Sequence, residues 1–418
     1  MKSTLALLGL VSCAPALFAA APDEPTGLKL TGFLNYRYEY TENPRLALED
    51  SNRNAPSAYG NASIDSKSET RLNLFVFLDN QFDGHTRFHA ALGGEHLGGR
   101  TTRTGLDVKE AYLAAKFGPA EFSLGRFLPT DVPMGSAPYM DGIRAFVGND
   151  KVTAVAYVTK FGNAYSTSVY NQATYDALVE ANPNLLVLQQ VGKMFYSNTN
   201  DANFHCTFVT TSLKAKPLPG LTLGVSYFAD VTSEEDIRIY KTTTFSAEYK
   251  YITNNVPWFA LSGEYGRNTA GGAEGLNTNI SNPASATSTS PTAYEAKLKI
   301  LGAHPFMPGT GGCHIQYRKA ESGYDIMGMA SVENWGVPFN WSSPSGGGMA
   351  ENHKGIEVGA EVTVLPRTIL KAAYGFMKSD STETVAARLI HPVGGKISFG
   401  APSTDKENYF TASVFYLF

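Results

Sequence analysis

Apolar and polar residues alternate along this chain in segments of about ten residues, the length of a tilted membrane-spanning strand. In 28–40, Leu28, Leu30 and Leu34 fall on one face and Lys29 and Asn35 on the other. Residues two apart share a face of a β-strand, so the pattern predicts strands with one apolar and one polar face. Sixteen are predicted, at 28–40, 70–79, 86–96, 106–117, 120–128, 140–148, 151–160, 203–215, 221–229, 237–251, 257–267, 291–302, 311–320, 353–365, 368–378 and 408–418. Fourteen or eighteen strands remain open, because strand boundaries read from sequence err by a few residues.

The connections between these strands alternate between short and long. Turn residues such as Asp83-Gly84 and Gly118-Pro119 mark the short ones. The long ones include 41–69, 161–202, 268–290, 321–352 and 379–407, and a short helix is predicted at 171–180 in the longest. A soluble β-sandwich also alternates, but so many long loops are implausible in a soluble domain. The pattern therefore predicts an all-β fold, a closed antiparallel transmembrane β-barrel with short periplasmic turns and long extracellular loops.

Both ends of the chain carry further signals. Lys2, an apolar run over 5–18 and small residues at 19–21 predict a signal peptide over 1–21, which leaves 22–418 as the barrel domain. A lipoprotein signal ending at Cys13 is the alternative. At the other end an apolar face runs to the last residue of the chain. Its members are Phe410, Val414, Tyr416 and Phe418.

The last strand resembles the terminal strand of Gram-negative outer-membrane proteins, and this resemblance implies recognition by the barrel-assembly machinery. The segments 30–37, 108–113, 122–126 and 141–144 resemble strands of general-diffusion and putative porins. That resemblance implies a homotrimeric, water-filled channel for small hydrophilic solutes, set among lipid and lipopolysaccharide in the outer membrane. It also implies an inward-folded constriction loop. Here 129–139 is short for that role and 161–202 is the longest connection, so which loop narrows the pore stays open.

Composition and motifs favour a channel over an enzyme. The formal net charge is −4, which argues against nucleic-acid binding because that function relies on a basic surface to neutralise phosphates. The sequence contains no phosphate-binding loop, nucleophile elbow or zinc-protease motif, so we expect no cofactor and no metal. His89 and His96, near Glu95, come closest to a metal-binding cluster, but alternation puts His89 and Glu95 on one face of the strand and His96 on the other. A substrate-selective channel for sugars or carboxylates, or a barrel-type hydrolase, remains an alternative.

Charged residues on the inner faces predict how the pore is lined. We expect a basic wall of Arg37, Arg71 and Arg144, with Arg126 added if it faces the lumen. Strict alternation points Arg126 at lipid, whereas the porin resemblance points it inward, and a bulge after Gly125 would reconcile the two. The opposing charges of this pore-lining set are Glu110, Asp131 and Asp141. Charges facing one another in this way would set up a transverse field that polar solutes can exploit.

Overall fold

A computed structural model describes residues 27–42, 66–97, 107–128, 140–162, 205–231, 240–253, 256–270, 290–321, 324, 353–379 and 406–418. Within these ranges the chain forms sixteen antiparallel strands that close into one barrel. They are β1 (Lys29–Glu42), β2 (Ser66–Gln81), β3 (Thr86–Leu97), β4 (Asp107–Phe117), β5 (Ala120–Phe127), β6 (Met140–Gly148), β7 (Val152–Gly162), β8 (His205–Leu218), β9 (Leu221–Asp230), β10 (Lys241–Thr253), β11 (Val256–Asn268), β12 (Thr292–Leu301), β13 (Gly311–Ala320), β14 (His353–Leu365), β15 (Thr368–Ser379) and β16 (Lys406–Leu417). No helix in the described ranges is both long and apolar enough to cross a membrane.

Each strand pairs with its neighbours in sequence, and β1 pairs with β16 to complete the ring. The predicted closed barrel and its strand number are therefore confirmed. Closure satisfies the edge hydrogen bonds that an open sheet would leave exposed. Because the strands run alternately up and down, the described tight turns lie at one end of the barrel, which we call the short-turn end. They are 82–85, 118–119, 149–151, 219–220 and 366–367. The opposite end, where β1 ends and β2 begins, is called the long-connection end.

The two faces of each strand differ as the alternation predicts. In β14, Ile356, Val358 and Val364 are exposed on the outer surface, whereas Glu357 and Thr363 are buried on the inner one. The same contrast recurs around the ring: the outer surface carries large apolar side chains, whereas the inner surface carries the buried polar and charged ones together with a smaller number of aromatic rings. Hydrocarbon solvates such a surface better than water does.

Two short turns are fixed by side chains that cap their own backbone. The Asp83 carboxylate accepts hydrogen bonds from the N–H groups of His85 (2.7 Å) and Thr86 (2.6 Å), which lowers the pKa of the Asp83 carboxyl. The Asn149 side chain accepts from the N–H groups of Lys151 (2.8 Å) and Val152 (2.9 Å). Asp and Asn favour turns for this reason, so these two hairpins form where the sequence places them.

One irregularity decides how β4 faces the lumen. The register with β3 shifts between Ala91, which pairs with Glu110, and Leu92, which pairs with Val108. The extra residue, Lys109, is a β-bulge that reverses the alternation. As a result Val108 is exposed on the outer surface while Glu110 is buried on the inner one.

Candidate pore lining

The connection between β12 and β13 folds towards the inside of the barrel at the short-turn end. Its Ala303 N–H donates to the Glu361 carboxylate (3.0 Å), and the buried Thr363 hydroxyl donates to the carbonyl of His304 (2.9 Å). The Arg367 N–H, in the β14–β15 turn, donates to the carbonyl of Pro305. These contacts hold residues 302–310 against β14 as an ordered shelf, which we call the inner shelf.

The inner shelf meets a cluster of apolar side chains that point into the barrel. The cluster consists of Phe33, Phe77, Ala91, Ala303, Ile369 and Phe415. Phe33 and Phe77 are each only 4% exposed, and the Phe33 ring lies 4.9 Å from that of Phe75 and 5.0 Å from that of Phe415. Apolar residues from β1, β2, β3, β15 and β16 are thus joined with the β12–β13 connection. This inner aromatic cluster fills lumen space at the short-turn end.

A carboxylate bridges two arginines on the wall formed by β3, β5 and β6. Arg87 donates to Glu121 Oε1 at 2.8 Å, and Arg144 donates to the same oxygen at 3.0 Å. The Arg144 guanidinium also lies 5.2 Å from the centre of the Phe146 ring and 5.9 Å from that of Tyr157. Ionised hydrogen bonds of this kind are stronger than neutral ones, so Glu121 fixes both cations on one side of the lumen.

A buried histidine lies next to this cluster of charges. His89 Nδ1 is 2.7 Å from Asp79 Oδ1, and its Nε2 is 3.8 Å from the buried Glu110 carboxylate. The Tyr112 ring stacks on the imidazole with centroids 5.0 Å apart. Within the described residues no group of three or more His, Cys, Asp or Glu has a metal-binding arrangement. The side chains of Glu95 and His96 lie outside the described part.

The opposite wall, from β12 to β16, carries a second polar network. Glu357 contacts His314 Nε2 at 2.8 Å and accepts a short hydrogen bond from the Tyr409 hydroxyl. Gln316 donates to Glu295 at 2.8 Å. Nearer the inner shelf, Lys299 donates to Glu361 at 2.8 Å. Both signs of charge therefore occur on both sides of the lumen, and most carboxylates here have a donor beside them.

The proposed basic wall is divided between two places. Arg37 and Arg71 occupy paired positions on β1 and β2, near the long-connection end. Arg144 lies four strands further round the ring, on β6. It donates to the Glu121 carboxylate, as Arg87 does. The predicted pore-lining set included neither Arg87 nor Glu121. Alternation with the outward Phe122 could have shown that Glu121 points inward.

The structure places Arg126 and Asp141 on the outer surface of the barrel and not in the lumen, where they were predicted. They are a register pair next to Leu124 and Ile143, which are 64% and 55% exposed. The pairing of β5 with β4 and β6 runs without a register shift, so there is no bulge at Gly125 to turn Arg126 inward. An Arg126 nitrogen lies 3.4 Å from the Asp141 carboxylate.

Gly125 has a different role. Its φ is +141°, and a Cβ at this position would lie 2.2 Å from the carbonyl oxygen of Ala111. Any side chain would therefore displace the neighbouring strand. Several other predictions fall outside the described residues: Asp131, the helix at 171–180 and the signal peptide at 1–21.

A closed barrel with an apolar outer surface and a charged interior defines the class of this protein as a membrane-spanning β-barrel. Solved structures with a similar course include two variants of the porin of Rhodopseudomonas blastica. Each has a TM-score of 0.46 and covers 94% of this chain and 100% of the porin, at 11% and 10% sequence identity. No family model matches the sequence. No curated protein matches it either.

Proposed function

We propose that this protein is an outer-membrane porin, a water-filled channel through which small polar solutes and ions diffuse passively. The observation that carries the proposal is the charged inner surface of a closed barrel whose outer surface is apolar. Strand number supports it, since a barrel of about sixteen strands is wide enough for an aqueous channel. Such a lumen hydrates ions and polar solutes, while the outer surface is solvated by lipid.

The distribution of lumen charge favours general diffusion over a dedicated substrate site. The inner arginines Arg87 and Arg144 share one carboxylate, and Lys299 is paired with Glu361. A pore wall with both signs of charge tunes ion preference without excluding either sign. A channel dedicated to one class of anion would be expected to present a wall of predominantly one sign.

The inner shelf and the inner aromatic cluster support a narrowing of the pore at the short-turn end. The family resemblance implies an inward-folded extracellular loop for this role. In this chain a connection at the opposite end reaches inward, through Ala303 and Glu361. We therefore propose that residues 302–310 contribute to the size limit of the pore.

Single-channel recording tests the proposal. The purified mature chain, folded and added to a planar bilayer, should produce stepwise, ohmic conductance increments in KCl. Reversal potentials in a salt gradient should indicate weak selectivity between ions. A folded barrel that migrates as a heat-modifiable band but gives no conductance steps would contradict the proposal. Saturable block by one sugar or carboxylate would favour the substrate-selective alternative.

Export, assembly and oligomeric state belong to the same proposal. A cleaved signal peptide over 1–21, recognition of the last strand by the barrel-assembly machinery and a homotrimer are expected of an outer-membrane porin. The apolar face of β16 that ends at Phe418 supports the second of these. Mass spectrometry of the mature N-terminus and light scattering of the detergent-solubilised barrel would test the first and third.

A further inference from the structure

Four lysines stand side by side on adjacent strands at the long-connection end of the barrel. Lys319 of β13 pairs with Lys354 of β14, which pairs with Lys378 of β15, which pairs with Lys406 of β16. Adjacent strands lie about 4.8 Å apart, so the four positions span about 14 Å across the sheet. We call these four positions the lysine row.

The lysine row follows the outer face of the barrel at its β13, β14 and β15 members. Its β14 and β15 members have the same parity as Ile356 and Phe376, which are 41% and 55% exposed on the outer surface. The Lys378 side chain is exposed. On β13, the inward positions are those of Gln316 and Arg318, which places Lys319 on the outward side.

The row also lies at the edge of the apolar outer surface, on the side of the long-connection end. Below it, towards the short-turn end, the outward residues Tyr317, Ile356 and Phe376 are the next ones along their strands. Lysine stems can extend along such an apolar surface while the ammonium groups reach the polar layer above. The row therefore lies where the headgroups of the surrounding lipid begin.

Like charges at directly paired positions destabilise a sheet. Here lysine faces lysine in three consecutive strand pairs, an arrangement that strand pairing by itself does not favour. Glu321 contributes one carboxylate at the β13 end, 3.2 Å from Lys319 Nζ. A multiply charged anion lying along the row would be attracted to several ammonium groups at once.

We propose that the lysine row is a binding site for the phosphorylated headgroup of an outer-leaflet lipid of the lipopolysaccharide type. The row offers cationic positions at regular spacing, and the adjoining apolar band accommodates the acyl chains of the same molecule. A free phosphate would use the first feature only. The proposal rests on the outer-membrane placement of the barrel that the proposed function includes.

The test compares lipid binding by charge variants of the full mature chain. The variant K319Q/K354Q/K378Q removes charge, and K319R/K354R/K378R keeps it. Lys160 provides a matched control, because it is an exposed lysine at the same end of the barrel whose register partner is the acidic Asp141. Native mass spectrometry in detergent would measure the retention of phosphorylated lipid A, of the same lipid without phosphates and of inorganic phosphate.

We expect the glutamine variant to bind phosphorylated lipid A at least roughly tenfold more weakly, since each lysine near an anionic headgroup contributes to binding. The arginine variant and K160Q should bind like the unmodified chain, and the lipid without phosphates should distinguish none of them. Equal binding by the glutamine variant would overturn the proposal. Competition by inorganic phosphate at the same concentration as the lipid would overturn the assignment to a lipid.

Two controls separate this inference from the function on which it rests. Heat-modifiable migration of each variant establishes that the barrel is folded before binding is measured. Conductance is then recorded from the same preparations. Lipid binding without conductance would contradict the porin proposal alone, whereas conductance with unchanged lipid binding in the glutamine variant would contradict the lysine row alone.

Discussion

The ring of Phe418 lies over Gly32 where the last strand meets the first. The two residues exchange backbone hydrogen bonds, each of 3.0 Å. A Cβ at Gly32 would lie 2.5 Å from the tip of the Phe418 ring and 2.3 Å from the carbonyl oxygen of Phe75. An aromatic ring covering a cross-strand glycine is a known way to stabilise a β-sheet, and here it lies at the seam that closes the barrel.

Deletion of Phe418 should reduce the amount of assembled barrel while leaving export unchanged. The deletion removes both hydrogen bonds to Gly32, each with a net value of about 1 kcal/mol, and also the ring that covers it. Heat-modifiable migration on a gel measures the assembled fraction, and immunoblotting of the periplasm measures export. F418Y should assemble normally, because it keeps the ring and the backbone contacts. An unchanged heat-modifiable band for the deletion would count against the role of the seam.

Replacement of Gly32 by valine should impair the same seam from the other strand. The new side chain would collide with Phe418 and with the backbone of Phe75, so the strands would have to separate. G84A is the matched control, because a Cβ at Gly84 meets no atom within 4 Å. The midpoint of urea unfolding should fall for G32V and stay unchanged for G84A. A G32V barrel as stable as G84A would argue that the seam tolerates a side chain.

The inner aromatic cluster should stabilise the barrel and restrict the size of the pore. F33A removes a ring that is 4% exposed and packs on Phe75 and Phe415. Such a truncation in a packed site costs about 3–5 kcal/mol, and it should also enlarge the lumen near the inner shelf. We expect a lower urea midpoint and a larger single-channel conductance. F82A, in an exposed turn, should change neither, and unchanged conductance in F33A would remove the cluster from the constriction.

Local sequence pattern accounts for most of the fold. Strict period-two alternation gives the faces of β1, β14 and β16, and turn residues such as Asp83 give the hairpins. The same alternation also placed Arg126 on the outer surface, where the structure has it. The family resemblance pointed this side chain inward, and the regular pairing of β5 and β6 shows that alternation was the better guide.

The lining of the pore depends on contacts that local pattern cannot predict. Glu121 joins Arg87 and Arg144 from three different strands, and Ala303 meets a cluster whose other members lie far away in sequence. The bulge at Lys109 reverses which side chains of β4 point inward on its two sides, and no glycine in β4 marks its position. These features depend on the register between strands and on closure of the barrel. Both are set by pairing between distant segments, so the pattern within one segment does not reveal them.

Glu121 should keep the pore from preferring anions. E121Q removes the negative charge that lies 2.8 Å from Arg87 and 3.0 Å from Arg144. Both guanidinium groups stay charged at neutral pH, so the lumen gains net positive charge. Reversal potentials in a KCl gradient should shift towards chloride selectivity. R87Q, which removes a positive charge from the same cluster, should shift them the other way, and no shift in E121Q would place this ion cluster outside the conduction path.

Removal of the three arginines of the predicted basic wall should have the opposite effect on selectivity. Arg37, Arg71 and Arg144 were expected to form one basic wall, and the structure separates them into a β1–β2 pair and the Glu121 cluster. Substitution of all three by glutamine should therefore shift the reversal potential towards potassium selectivity, since lumen charges set the local ion concentration. R37Q/R71Q and R144Q, recorded separately, would show which of the two places dominates.

The outward arginine supplies the matched control for this last experiment. R126Q removes the same charge from a side chain that shares the outer face with Leu124. Its distance from the lumen and screening by about 0.1 M salt, with a Debye length of about 10 Å, should leave the reversal potential unchanged. A triple variant that behaves like R126Q would reduce the three arginines to wall residues. A shift in R126Q as large as in the triple variant would mean that selectivity arises at the barrel surface and not inside it.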